Sequence, residues 1–222
     1  ESVLKALVTE RELVIEPKGV DVMIQRNCLH VLLASNSDWV VPASANERRF
    51  CVCDVSSAHM GDFRYFDALE KERDGGGLEA MLFELLARDL SGFNVWKIPM
   101  TRGLLDQKMD TLRGAERWLA DVLAEGAIAD GGLGRFEWQT SGLPILRSSA
   151  YATYERLARG RYREVVPMAP SPFWRKIRAI IPGIGEARPG RSGSRERSVL
   201  FPPLDECRAA FEAHMKGKID WQ

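Results

Sequence analysis

The feature that most constrains this chain is an uninterrupted apolar run at residues 30–34, His-Val-Leu-Leu-Ala, followed directly by the polar residues 35–38. A strand with one solvent-exposed face alternates apolar and polar residues, whereas a continuous apolar run predicts a strand that is buried on both faces. Strands of that kind are typical of parallel sheets in α/β domains. Asn36 is therefore expected at the carboxyl edge of such a sheet, where α/β proteins bind ligands.

Shorter patterns on either side of this run predict further elements. Two β-prone runs, residues 13–15 and 20–24, flank a Pro-Gly turn and predict a hairpin with Lys18 at its tip. Residues 50–55 predict another strand, whose alternation would place Cys51 and Cys53 on one face as buried, reduced thiols. The other patterns predict one strand at 197–201 and helices at 63–69, 78–90, 101–113, 115–125, 148–159, 170–181 and 204–216.

A glycine-rich joint at residues 131–134 suggests a boundary between two folded parts. We expect residues 101–133 to form a helical connector and residues 134–222 to form a separate basic domain. Its order of helix, helix, basic loop, strand and helix predicts a mostly helical, winged-helix-like module. Trp118, Trp138 and Trp174 are expected in hydrophobic cores rather than on a base-stacking surface.

The net charge of zero hides an asymmetry along the chain. Residues 147–222 hold 15 Lys and Arg against 8 Asp and Glu, and the preceding residues carry the opposite imbalance. A basic segment indicates an anionic partner such as nucleic acid, although an ordinary solvated basic face would look the same. The cations expected to contact DNA phosphates are Arg175, Lys176 and Arg178 on a helix and Arg191 and Arg195 in a Gly-Arg-Ser loop.

Several classes of protein are excluded by composition. No stretch approaches the roughly 18 apolar residues that a membrane helix needs, and Lys5 and Arg11 are interleaved with acids where a signal peptide would be apolar. We therefore expect a cytoplasmic protein with no membrane partner. The three histidines show no ligand spacing and the C-x-C pair stands alone, so no metal site is expected.

Asn36 and the pair Arg48-Arg49 are the residues that best fit catalytic chemistry. An amide at a strand end can orient a water or a phosphate oxygen, and paired arginines can hold a phosphate in a bidentate way. Two simpler interpretations stay open. In the first, Asn36 only stabilises a turn, since the sequence Ser-Asn-Ser-Asp at 35–38 favours turns. In the second, the arginines form ion pairs with Glu47 or Asp54 on the surface.

Ala34-Ser35-Asn36, Pro42 and Glu47-Arg48-Arg49-Phe50 together resemble the motif C region of superfamily 3 helicases, in particular the primase-helicases of phages and prophages. The resemblance implies that residues 1–100 are the C-terminal portion of an AAA+-like P-loop ATPase domain of the α/β class. It implies that Asn36 is the sensor of the nucleotide γ-phosphate and that Arg48 or Arg49, with Arg49 slightly favoured, is the arginine finger. It also implies that Lys18 grips DNA in a central channel.

The chain departs from that family in one important respect. It contains no G-x-x-x-x-G-K-[ST] motif and no apolar strand that ends in paired acids. In the family both precede motif C, so they would lie before residue 1. The resemblance thus implies that ATP and Mg²⁺ bind only in the full-length protein, with the Mg²⁺ ligands outside this chain, and that this chain alone is inactive.

We therefore expect the C-terminal part of an ATP-dependent DNA helicase that acts in DNA replication. The implied partners are single-stranded or forked DNA and further copies of the protein in a ring, by resemblance a hexamer. The alternative is a non-catalytic DNA-binding or loading module, such as a prophage remnant. A third hypothesis, a sequence-specific winged-helix transcription factor, would require base-reading side chains on a helix in the major groove.

Overall fold

The computed structural model shows a mixed α/β chain with small antiparallel sheets. It describes residues 2–16, 18–19, 21–94, 96–130, 134–162, 166–187 and 197–221. Within these residues there are eight α-helices and seven short strands, and every pair of hydrogen-bonded strands is antiparallel. The mixed α/β class is thus confirmed, but no parallel sheet is present in the described part of the chain.

The predicted N-terminal hairpin is present. It follows helix α1 (Ser2–Thr9) and consists of β1 (Glu12–Ile15) and β2 (Met23–Arg26). The strands pair in register with Leu13 opposite Gln25. Gly19 has a φ of +79°, a conformation that suits glycine and lets the connection turn.

The predictions of two central strands, at residues 30–34 and 50–55, are wrong. Residues 30–34 form no strand, and Leu32 is 95% exposed. Residues 50–55 form none either, and Cys51 and Cys53 are exposed with their Sγ atoms 4.0 Å apart. A strand buried on both faces needs neighbouring strands and covering helices. Among the described residues, no strand pairs with either segment.

Two helices connected by an irregular turn follow. They are α2 (Phe63–Glu72) and α3 (Leu78–Ala87), with the π-helical turn Arg73–Gly77 between them. The Asp62 side chain caps α2 by accepting a hydrogen bond from the Tyr65 amide at 3.1 Å. Neither helix has a buried residue. Among the described residues before 101, burial is confined to Val41, Ala43 and Glu47.

The second half of the chain contains the hydrophobic core. Its elements, in chain order, are α4 (Arg102–Thr111), α5 (Gly114–Glu125), β3 (Ala127–Asp130), β4 (Gly134–Glu137), β5 (Leu143–Leu146), α6 (Arg147–Arg159), α7 (Pro170–Ile180), β6 (Gly185–Ala187), β7 (Ser198–Phe201) and α8 (Leu204–Met215). Strands β5, β7 and β6 form one antiparallel sheet with β7 in the centre. Strands β3 and β4 form a separate hairpin.

Aromatic side chains from three helices meet in this core. Phe173 stacks on Tyr154 with 4.7 Å between ring centroids and meets Trp118 edge-on at 5.2 Å. All three are fully buried, and each contributes about 2–3 kcal/mol of apolar transfer free energy. The Trp118 indole N–H donates to Thr153 Oγ1 at 3.0 Å. Its polar edge is therefore satisfied inside the core, and the expected core position of Trp118 is confirmed.

Residues on both sides of the glycine-rich joint pack in the same core. It includes Leu119 and Leu123 of α5, before the joint, and Val199 and Phe211, after it. Residues 131–133 of the joint lie outside the described residues, while Gly134 begins β4. Helix α5 is therefore part of the same packed unit as α6, α7 and α8.

Candidate functional site

The segment that carries Asn36, Arg48 and Arg49 is docked on helix α4 by side chains of that helix. Gln107 Oε1 accepts hydrogen bonds from the Val40 amide at 2.6 Å and the Val41 amide at 3.1 Å, and its Nε2 donates to the Asp38 carbonyl. The Trp39 indole N–H donates to Thr111 Oγ1 at 3.1 Å. The segment thus has a defined position even though it forms no strand.

A buried carboxylate organises the two candidate finger arginines. Glu47 Oε1 accepts hydrogen bonds from the backbone amides of Arg48 and Arg49, each at 2.9 Å. The same oxygen lies 3.4 Å from the Arg49 guanidinium. Its side chain is fully buried. The other oxygen, Oε2, has no hydrogen-bond donor among the described residues. The proposed surface pairing with Glu47 is therefore present for Arg49, but the acid is buried rather than exposed.

The two arginines differ in what their guanidinium groups do. Arg49 Nε donates to Thr9 Oγ1 at 3.0 Å, so this side chain is held between Thr9 and Glu47. Arg48 is exposed and forms no ion pair with any described residue. Of the two, Arg48 has the guanidinium that is available to another molecule.

Lysine 108 is a buried cation that the sequence analysis did not assign to the site. Its side chain is fully buried, and Nζ donates to the Met215 carbonyl at 3.1 Å and contacts Met100 Sδ at 3.7 Å. Burial lowers the pKa of Lys108, with Lys216 acting in the same direction and the Glu47 carboxylate opposing them. A signal was present in the sequence, since Lys108 lies three and four positions after Leu105 and Leu104 and shares their face of the helix.

Asn36 and Lys18 are both at the surface. Asn36 lies in an exposed bend, where the Ser37 amide donates to Ser35 Oγ at 3.0 Å, and the Asn36 side chain has no hydrogen bond to a described residue. Lys18 lies in the turn between β1 and β2 and is exposed. No hydrogen bond joins the side chain of Asn36 to Arg48 or Arg49 within the described residues.

Three of the five C-terminal cations lie on α7, and they are not equivalent. Arg175 is exposed and has no ion-pair partner among the described residues. Lys176 Nζ lies 3.0 Å from Glu116 Oε2, and an Arg178 terminal nitrogen lies 2.8 Å from Glu186 Oε1. Arg191 and Arg195 fall outside the described residues. Of the α7 cations, Arg175 is therefore the one whose charge is not already neutralised.

The described residues do not by themselves fit Mg-ATP. Within them, no three His, Cys, Asp or Glu side chains are close enough together to hold a metal ion. The strand expected to deliver Asn36 is missing, so the amide is not held at a sheet edge.

Comparison with protein-family models, with curated proteins and with solved structures gave no match. In the described part of the chain, no helix has the length and apolar character required to span a bilayer.

Proposed function

We propose that this chain is the C-terminal part of an ATP-dependent DNA helicase of the phage-type primase-helicase kind, and that its second half is a winged-helix-like module that contacts DNA. Two features support the proposal. The first is the resemblance carried by Asn36, Pro42 and the pair Arg48-Arg49. The second is the arrangement of helices and strands after residue 114.

That arrangement is the observation on which the proposal depends. Strand β5 precedes helices α6 and α7, the strands β6 and β7 follow them, and β7 lies between β5 and β6 in the sheet. Two helices and a following hairpin that pairs with an earlier strand are typical of winged-helix modules, in which the second helix and the hairpin loop approach DNA. In this chain, residues 188–197 lie between β6 and β7 in the sequence, and they contain four arginines and one glutamate.

The outward face of α7 suits a phosphate backbone. Phe173, Trp174 and Ile177 are buried, whereas Ser171, Arg175 and Ala179 are exposed and recur every four residues. A stripe of small residues around an arginine that has no ion-pair partner among the described residues allows close approach to DNA and supplies a charge for a phosphate. The stripe carries no Asn or Gln to read adenine and offers a single arginine, which suits a phosphate as well as a guanine, so we propose sequence-independent contact rather than a transcription factor.

The DNA-contacting part is tested by titrating the chain into a labelled oligothymidylate of about 20 nucleotides and following fluorescence polarisation at salt concentrations from about 50 to about 200 mM. We expect Arg175→Gln to weaken binding about fivefold to tenfold and to lower the salt slope by about 1. Lys218→Gln, which removes a cation that is 91% exposed outside α7, is the control and should stay within about twofold. Absence of DNA binding by the unaltered chain would overturn this part of the proposal.

The motor part is tested in a protein in which this chain is joined to the nucleotide-binding motifs of such a helicase. Asn36→Ala and Arg48→Ala should each reduce ATP hydrolysis by about a thousandfold while leaving nucleotide binding largely intact. Arg48 is the finger we favour, because Glu47 and Thr9 hold the guanidinium of Arg49. Unchanged hydrolysis in both variants would leave the non-catalytic DNA-binding module as the better account.

A further inference from the structure

A cleft with a volume of about 320 Å³ opens between the start of α5 and the residues that follow α6. Its lining is dominated by guanidinium groups, and the residues that line it are Leu112, Arg113, Arg117, Arg161 and Tyr162. The three arginines come from two segments, the start of α5 and the residues after α6, which the rest of α5, the strands β3 to β5 and α6 separate along the chain. Like charges gathered from distant segments repel one another, so this cluster costs folding free energy unless something compensates it.

One carboxylate provides part of the compensation. Asp121 Oδ1 lies 3.1 Å from Arg117 Nε, and Asp121 Oδ2 lies 3.3 Å from a terminal nitrogen of Arg161. The Tyr162 hydroxyl donates to Asp121 Oδ2 at 2.9 Å. Burial and this hydrogen bond raise the pKa of Tyr162, so the phenol stays neutral and adds no negative charge to the cleft. Among the described residues, three guanidinium groups therefore line the cleft and one carboxylate pairs with two of them, which leaves an excess of two positive charges.

The same contacts hold the guanidinium groups in place and leave donors unused. One terminal nitrogen of Arg113 donates hydrogen bonds to the carbonyls of Asp110 and Leu112, each at 2.8 Å. Arg117 donates to the Met109 carbonyl at 3.4 Å as well as pairing with Asp121. Two nitrogens of Arg161 have no partner among the described residues, and its side chain is 65% exposed. Guanidinium groups that are held in place and keep spare N–H donors can bind a phosphate through charge-assisted, bidentate hydrogen bonds.

We propose that this arginine cleft is a phosphate-binding site, separate from the Arg175 face of α7. The excess positive charge selects an anion, and the forked donors suit the oxygens of a phosphate better than a halide ion. The phosphate can belong to a DNA backbone or to a soluble phosphate ester. The choice of DNA rests on the proposed function, whereas the anion site itself does not.

Arg161 and Arg159 provide a matched pair of variants. Arg161 is 65% exposed and pairs with Asp121, while Arg159 is 66% exposed, pairs with Glu155 and lies outside the cleft. Arg161→Gln and Arg159→Gln thus remove the same charge, at the same exposure, from one ion pair each. Arg161→Lys keeps the positive charge but removes the planar guanidinium that can donate two parallel hydrogen bonds. The exposure of both arginines makes misfolding a minor risk, and circular dichroism in the near ultraviolet checks it.

The first arm uses pyrophosphate and is independent of DNA. Nuclear magnetic resonance of the arginine Nε–H groups should show shifts for Arg113, Arg117 and Arg161 on titration. Arg161→Gln should weaken pyrophosphate binding about tenfold, Arg161→Lys less, and Arg159→Gln by less than about twofold. Equal effects of Arg161→Gln and Arg159→Gln, or no shifts in the unaltered chain, would overturn the phosphate site.

The second arm repeats the comparison with the labelled oligothymidylate. If DNA supplies the phosphate, Arg161→Gln weakens binding about fivefold and lowers the salt slope by about 1, whereas Arg159→Gln does not. Pyrophosphate binding without an effect on DNA binding identifies a soluble phosphate ester as the occupant. If the unaltered chain binds pyrophosphate but does not bind DNA, the proposed function is contradicted and the phosphate site is supported.

Discussion

At the scale of single residues, Glu116 connects three helices of the core. It lies on α5, where its Oε2 pairs with Lys176 of α7 and its Oε1 lies 3.3 Å from His214 Nε2 of α8. The hydrogen bond from His214, together with Lys176, holds the pKa of Glu116 below its ordinary value of 4.5, although burial opposes them. A carboxyl group whose pKa is depressed on folding stabilises the protein when ionised.

This predicts an acid-sensitive contribution to stability. Because the folded-state pKa of Glu116 is the lower one, its contribution is present above about pH 5 and is lost as the pH falls through the folded-state value. Glu116→Gln should lower the free energy of unfolding by about 1 kcal/mol at neutral pH. The difference from the unaltered protein should shrink below about pH 4.

Urea unfolding at several pH values measures this difference. Glu84→Gln, which changes an exposed glutamate of α3, serves as the control and should leave the pH dependence unaltered. A Glu116→Gln variant whose stability deficit is the same at acidic and neutral pH would contradict the role assigned to the charge.

At the scale of elements, α4 fastens the segment of residues 38–41 to the core half of the chain through Gln107. This side chain is 5% exposed and satisfies two backbone amides and one carbonyl. Without it, those backbone groups would have to find water or stay unsatisfied. The position of the Arg48-Arg49 pair relative to the core therefore depends on a glutamine on a neighbouring helix.

Gln107→Ala should therefore release this segment more than it unfolds the core. We expect a loss of about 1–3 kcal/mol of stability for the docked segment, seen as faster hydrogen exchange of the Val40 and Val41 amides. Gln139→Ala, which changes an exposed glutamine, should alter neither exchange nor stability. Unchanged protection of Val40 and Val41 in the Gln107 variant would show that other contacts hold the segment.

At the scale of the whole molecule, burial is distributed very unevenly. The core lies among the elements from α4 to α8, whereas α2 and α3 expose large apolar side chains such as Phe83 at 76% and Leu86 at 79%. Regions with few buried apolar contacts open at low free-energy cost, while core helices exchange only on global unfolding.

We accordingly expect a large contrast in amide hydrogen exchange between the two halves. Amides of α5 and α7 should exchange roughly a hundredfold or more slowly than those of α2 and α3. Mass spectrometry of peptides after a series of exchange times, run at two protein concentrations, measures this contrast. Equal protection of all four helices would show that the exposed faces of α2 and α3 are covered in solution, and protection that rises with concentration would identify a second copy as the cover.

The local elements follow from the sequence because their causes are local. The turn residues 16–19 predict the β1–β2 hairpin, and the three-and-four spacing of apolar residues predicts α3 and α5. Gly126 ends α5 with a φ of +65°, a conformation that suits glycine after a helix. These patterns depend on neighbours within a few residues. The roles of Asn36, Arg48 and Lys18 stay predictions, because they depend on ligands and surfaces that a local pattern does not contain.

Only the tertiary structure decided which side chains meet and which stay exposed. The run at residues 30–34 has the composition of a buried strand, yet burial requires partners from elsewhere in the fold, and here Leu32 is almost fully exposed. The burial of Lys108 near Glu47 and the meeting of Arg117 with Arg161 across Asp121 are likewise long-range. The sequence by itself determined the helices and the hairpin, whose hydrogen bonds are local. The three-dimensional arrangement determined the charges, because electrostatic interactions depend on distance in space rather than along the chain.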